Sequence, residues 1–342
     1  DANGNVASAL VSNSGTIMAA GGHVMMTARA ARNVEDNAIN NTGIVEATTV
    51  SSHNGVIDLD AGPDGTVNDS GTLDVSGTGQ GQTGGAVNVT GGTVNVADGA
   101  TINASGNAGG GTIQIGGGLH GQGTLAHAQR TIIGAATISA DATGKGNGGT
   151  VAVWSDGQTS FAGSISAKGG AQGGNGGQVE TSGQNLGVTD SAQVDTSAPL
   201  GLTGDWLLDP PVGTIQPTHT IESNGGNSLT GATISASAIT NALATSNVTL
   251  EATSLITVLQ QISYNSTNSL NLLSEGNLEI DASIQNMGSG AINLIAGWDG
   301  HTFAPSSFES PGVYGNSNGT IRIGGSNAAG GVAVGSYSGI TT

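Results

Sequence analysis

Cysteine is missing from all 342 residues, which excludes a disulfide framework and a thiolate metal site. Cations are nearly missing too: Arg29, Arg32, Arg130, Lys145, Lys168 and Arg322 face 24 acidic residues, for a formal charge of -18. Phosphate neutralisation needs clustered cations, so nucleic-acid binding is excluded, and an anionic bilayer surface repels such a chain. Aromatic residues make up 3% and charged residues 9%, where an ordinary soluble domain carries about 25% charge. A core of large interlocking knobs is therefore out of reach, whereas thin stacked layers of Val, Ile and Ala are not. No apolar run approaches the ~18 residues of a membrane helix, and no signal peptide is visible at Asp1. The chain begins and ends within repeat-like sequence, over 2–10 and 330–342, as a mature or excised piece of something longer does.

What fills the gap is Gly, at 61 residues against a usual ~7%, with Ala, Ser, Thr and Asn. Such composition calls for a search for repeats. Val94 and Val96 are followed 19 residues later by Ile113 and Ile115, then by Ile132 and Gly134, then by Val151 and Val153. In Val94-Asn95-Val96 and Ile113-Gln114-Ile115 the apolar positions alternate with polar ones, the period of a strand with one face inward. Gly92, Gly111 and Gly149 precede these strands, where a sharp corner with positive φ is expected. Further on, Val248, Leu270 and Ile292 are 22 apart, as are Leu250, Leu272 and Leu294. Ile256 with Leu278, Val258 with Ile280, and Ile262 with Ile284 share that spacing. Three short strands per unit, at 248–250, 256–258 and near 262, describe one coil of a solenoid. The expectation is an all-β, right-handed parallel β-helix with coils of about 19–22 residues. Roughly 17 such coils at about 4.8 Å each make a rod about 80 Å long. A β-sandwich supplies no reason for a constant register. The best helical candidate, 234–243, reads as a strand and a turn.

Composition and period both shift near residue 204, dividing the chain into a Gly-rich β-helix segment, 1–204, and a second one, 205–342. The junction carries Asp205, Trp206, Leu207, Leu208, Asp209 and Pro210. Trp206 between two acids has the composition of a sugar-stacking platform, but a plug sealing the seam between two coil registers is the preferred reading, since Pro halts a central strand. A second break, an inserted loop near 298–318, holds Trp298, Phe303, Phe308 and Tyr314, the candidates for ligand or partner contact.

Several runs resemble filamentous haemagglutinin-like exoproteins, the large two-partner-secretion adhesins of Gram-negative bacteria. They are Gly-Gly-Thr-Val-Ala-Val-Trp-Ser-Asp-Gly at 148–157, Phe-Ala-Gly-Ser-Ile-Ser-Ala-Lys-Gly-Gly at 161–170, Gly-Gly-Asn-Gly-Gly at 173–177, Val-Glu-Thr-Ser-Gly at 179–183, and the 205–210 junction. The stretch 36–47 looks similar, and the resemblance covers nearly the whole chain. It implies a secreted or cell-surface shaft that acts in adhesion or filament formation. The implied partners are an outer-membrane β-barrel transporter, surface glycans and neighbouring copies of the chain. The family's export domain has Asn-Pro motifs; none occurs here, so the segment is expected downstream of that domain and the transporter would act on the missing part.

Many β-helix proteins cleave polysaccharides, and such chemistry needs paired carboxylates. The acids here look scattered, the densest patch being Asp58 and Asp60 facing Asp64 and Asp69, a weak calcium candidate, on Asp58, Asp60 and Asp64 above all, that lacks the full calcium-loop pattern. His23, His53, His120, His127, His219 and His301 form no helical metal pair and read as solvated loop residues. Gly-x-Gly fragments such as 77–81 lack the Lys and the following helix of a phosphate cradle. Asn-x-Ser/Thr sequons occur at Asn40, Asn68, Asn88, Asn103, Asn247, Asn265 and Asn318, glycosylation being known in some relatives. The sequence-level expectation is thus no enzyme, no cofactor and no membrane insertion, with a polysaccharide-active enzyme or a passive spacer as the alternatives.

Overall fold

The computed structural model describes residues 9–28, 38–209, 233–298 and 300, together with the backbone of strands Thr218–Glu222, Ile321–Ile323 and Val332–Val334. The chain winds as a right-handed parallel β-helix. A 12-stranded sheet starting at Val11–Asn13, a 7-stranded sheet starting at Thr16–Met18 and a 10-stranded sheet starting at His23–Thr27 form its faces; a 3-stranded sheet starts at Ile262–Tyr264. Most strands pair in parallel with their counterparts one coil away, so each coil supplies the crossover to the next. At the junction Thr233–Ser235 instead sits between Asn185–Val188 and Thr218–Glu222, against chain order.

Inward residues pile into columns. Val248 stacks on Leu270 and Leu270 on Ile292, with Leu250, Leu272 and Leu294 beside them. Ile256 pairs with Leu278, Val258 with Ile280, and Ile262 with Ile284, so the 22-residue coil holds in this half. The 19-residue spacing does not describe a coil. Val94 and the 130–133 strand belong to the 12-stranded sheet, while Ile113 and Val151 belong to the 10-stranded one. Ile113 stacks on Val151, 38 residues away, and Val151 on Val179, 28 away. Nineteen is the one-way path from one face to another, Val94 to Ile113 and then Ile113 to Ile132, which happens to be half of one 38-residue coil. The strand phase also differs there: Thr131 and Ile133, not Ile132, point inward. Because coils in this half run to 26 residues or more, the 10-stranded ladder is about 45 Å long, shorter than the expected rod.

The glycines before the strands act through close approach. Gly92, Gly111 and Gly149 are absent from the positive-φ positions. A Cβ on Gly149 would lie 2.1 Å from the carbonyl oxygen of Gly111, and one on Gly111 would lie 2.1 Å from that of Gly85. The corner is narrow because backbones of successive coils touch there.

The third face changes at the junction. Its 7-stranded ladder ends at Gln193–Asp195, and the 3-stranded one begins at Ile262–Tyr264. Between them lies α1 (Ala236–Ala242), packed on both. This corrects the strand-and-turn reading of 234–243: only Thr233–Ser235 is a strand. Ser235 caps the helix, its Oγ accepting from the Ala238 N–H at 3.2 Å. Ala236, Ile239, Ala242 and Leu243 are buried on one side, and Ala has the highest helix propensity. One hydrophobic core runs past the junction from Val24 to Leu294.

A buried polar column accompanies the apolar ones. Asn13 Nδ2 donates to Asn41 Oδ1 at 2.8 Å, and Asn41 Nδ2 donates to Asp69 Oδ1 at 2.7 Å, at 28-residue intervals. Val96 occupies the next level, so Asp69 Oδ2 is buried with no partner. Burial pushes the Asp69 carboxyl up to about 6, against the opposing hydrogen bonds from Asn41 and Gly71. A raised carboxyl pKa means the unfolded chain ionises first. The contribution to stability is therefore full below about pH 4, falls as pH rises to about 6, and is then flat; the fall amounts to roughly 3 kcal/mol. Urea titrations from pH 3.5 to 7.5 should show this fall flattened in Asp69→Asn relative to the parent chain. Parallel curves for the two proteins would refute the assignment.

Candidate functional site

On the 10-stranded sheet, alternate residues face outward: Ala152, Glu180 and Leu207 share one register, and Asp209 lies two residues beyond Leu207. Leu208 pairs with Leu250, which puts Asp209 beside Glu251; Ser274 pairs with Ala252, which puts Glu275 beside Thr253. Successive coils thus stack Glu180, Asp209, Glu251 and Glu275 along one outer face.

The coil between Ile115 and Val151 is lengthened by a loop that folds over this face. Gly116 and Gly121 turn with φ of 75° and 60°, and a Cβ on Gly121 would lie 2.5 Å from Cζ2 of Trp154. Only glycine permits both the left-handed turn and that approach. Trp154, though outward-facing, is buried; its Nε1 donates to Asp156 Oδ1 at 3.1 Å. His127 Nδ1 lies 2.9 Å from the same oxygen, and its ring is tilted against Trp154 at 5.8 Å. His120, at the tip with φ 55°, donates its backbone N–H to Glu180 Oε2 at 2.6 Å. The loop, Asp209, Glu251, Glu275 and Trp298 enclose a cavity of about 400 Å³.

The electrostatics are lopsided. Glu180 is 1% exposed, and its Oε1 has no hydrogen-bond partner. Burial raises its carboxyl above the usual range. Asp209 and Glu251 hydrogen-bond to one another. Burial, then the neighbouring carboxylates, push both carboxyls well above the usual range, Asp209 to about 7 and Glu251 to about 9, so at neutral pH the pair holds a proton between them. Glu275 is raised by burial as well. No Lys or Arg lines the cavity among the described residues. The ligand atoms of His120, Glu180 and Asp209 lie within 4.8 Å of one another.

The residues singled out from sequence fall in several places. Trp206 points into the core, with 0% exposure; its Nε1 donates to Thr181 Oγ1 at 3.0 Å, and a sugar cannot reach it. Asp205 is exposed and accepts from Asn247 Nδ2 at 3.3 Å. Asp209 joins the acidic face, while Pro210 lies outside the described residues. Trp298 is buried against Leu273 and Ile295 on the outer side of the sheet and edges the cavity; Phe303, Phe308 and Tyr314 lie outside the described residues. Asp58 turns to His23 Nε2 at 2.6 Å and accepts from Asn88 Nδ2 at 2.7 Å. Asp60 instead accepts from the Gly62 N–H at 2.9 Å, and Asp64 follows in the turn. Sequence reading missed Glu251 and Glu275 altogether and did not join His120 to Glu180 and Asp209. The outward phase of Glu180 and Glu251 was readable from their apolar neighbours, but no repeat of fixed length linked the coils that carry them. No family model matches the chain, and no curated protein is similar enough to it to assign a family.

Proposed function

We propose that this chain is the shaft of a secreted or cell-surface adhesin or filament. The observation that carries the reading is the 10-stranded ladder, unbroken across the junction, in a solenoid whose outer faces present rows of small polar side chains. Asn68 Nδ2 donates to Asn40 Oδ1 at 3.1 Å. On the same face Asn95 Nδ2 donates to Asn68 Oδ1 at 2.5 Å, and on the 10-stranded face Asn88 Nδ2 donates to Asp58 Oδ1 at 2.7 Å, all of these side chains being part-exposed. Such rows offer repeated hydrogen-bonding groups to glycans or to a second copy of the chain. The resemblance of 148–183 to filamentous haemagglutinin-like exoproteins supports the same reading. An outer-membrane β-barrel transporter acting on a separate export domain would then be the route to the surface.

The acidic face favours a second reading, a polysaccharide-active enzyme. The arrangement fits it poorly. Glycosidase carboxyls flank the scissile bond about 5 Å or more apart, whereas Asp209 and Glu251 bond to each other and Glu180 is covered by the loop. One experiment separates the readings. Beads carrying the purified chain are incubated with neutral and acidic glycans, and both retention and chain length are measured. Retention of intact glycan, reduced about tenfold when Phe303, Phe308 and Tyr314 are all changed to Ser, is the expected result. Shortened glycan, with cleavage lost in Asp209→Asn, would replace the adhesin by the enzyme. Absence of both retention and cleavage would leave the spacer.

A further inference from the structure

We propose that His120, Glu180 and Asp209 form a binding site for one divalent transition cation, zinc or manganese, which clamps the 116–128 loop onto the acidic face. Acidic clusters alone bind nothing in particular, but here an independent feature marks the site. Glu180 is 1% exposed and its Oε1 is unpaired, the carboxylate being held otherwise by the His120 N–H and the Ser182 side chain. A buried carboxylate oxygen without a partner is costly unless something neutralises it. The atoms available to fill that role are in place: His120 nitrogen and Asp209 oxygen lie within 4.8 Å of the Glu180 carboxylate. No Lys or Arg among the described residues lines the cavity to serve instead.

The donor set points to the class of ion. One imidazole and two carboxylates suit zinc or manganese; calcium takes oxygen ligands alone and more of them. Tetrahedral zinc with bonds near 2.0–2.1 Å places its ligands about 3.3 Å apart. His120 is exposed at the loop tip, so it is free to close the remaining distance. Water completes the shell from the cavity, which His120 and Asp209 line. The ligands come from three coils, since Glu180 sits on the strand Gln178–Thr181, Asp209 follows Asp205–Leu208, and His120 belongs to the loop after Thr112–Ile115. A bound ion therefore ties distant parts of the chain together, as a clip closing a long loop does.

The test uses the full chain, stripped with EDTA and exchanged into chelator-free buffer. Calorimetric titration with zinc chloride or manganese chloride should give one equivalent bound, and saturation should raise Tm by about 5 °C. Two variants remove ligands without removing the fold. Glu180→Gln keeps a carbonyl oxygen for the His120 N–H and deletes a buried charge, and His120→Asn retains a residue tolerant of positive φ. Each should weaken binding at least about tenfold and abolish the Tm rise. His127→Ala, in the same cavity but outside the ligand set, should bind as the parent does. The proposal is overturned if no stoichiometric binding occurs, if both ligand variants bind unchanged, or if calcium binds in preference to zinc and manganese.

Discussion

Replacing Trp206 by Ala should destabilise the coils around the junction by about 3–5 kcal/mol, the largest loss expected from any single side-chain truncation here. Trp206 is the largest fully buried side chain described. It stacks between Val179 and Val248 in the inward column, and its ring meets Phe161 edge-on at 6.4 Å and 71°. Phe161 lies on the 12-stranded sheet, so the pair spans the core from one face to another. Truncation opens a cavity and strips the Thr181 hydroxyl of its Nε1 donor, adding the penalty of an unsatisfied buried group. In a solenoid each coil chiefly contacts its neighbours, so the damage should remain local. Hydrogen exchange should accelerate at 178–208 and 247–252 and stay unchanged at 56–60 and 86–90. Trp206→Phe, which keeps most of the packing, should recover much of the loss. If Trp206→Ala left exchange at the junction untouched, the residue would not be the seal between the two coil registers.

How far the fold could be read from the sequence depends on coil length. In 247–296 the coils are equal, so Val248, Leu270 and Ile292 mark the true register directly. Upstream, the loop carrying His120 lengthens one coil, and face-to-face spacing then mimics a repeat. A better ruler was present: Asn13-Ser14-Gly15, Asn41-Thr42-Gly43 and Asp69-Ser70-Gly71 recur at 28 residues. Its signal is polar, because it comes from a buried amide ladder, and a search for aliphatic periodicity passes over it. Helix α1 was hidden for a different reason. Seven residues barely establish a period, and the cap at Ser235 decides the conformation. The acidic face shows the same limit. Glu180, Asp209 and Glu251 are brought together across coils of unequal length, so strand phase gave their side and only the folded register gave their neighbours.

The Gly-Gly pairs lead to the second large effect, and Gly149→Ala should cost roughly 3 kcal/mol or more although it adds a single methyl group. Gly55, Gly85, Gly111, Gly149, Gly177 and Gly204 form a column at the entrance to the 10-stranded sheet. A Cβ on any of the last five would fall 2.0–2.1 Å from the carbonyl oxygen of the glycine one coil before it. That oxygen cannot retreat freely: Gly111 O accepts from the Thr150 N–H at 3.0 Å, and Gly149 O accepts from the Gln178 N–H at 3.0 Å. The methyl group would therefore push coils apart at the point where their backbones bond. The first glycine of each pair has its own reason, since a Cβ on Gly148 would lie 2.1 Å from the carbonyl oxygen of Ala167. Gly15→Ala supplies the contrast. Gly15 has no positive φ, and a Cβ there meets nothing within 4 Å. Losing unfolded-state freedom should leave that variant neutral or up to about 1 kcal/mol more stable. Urea midpoints of the two variants, measured side by side, decide between close approach and turn geometry as the reason for the glycines. Equal midpoints would mean that contact between coils is not what selects them.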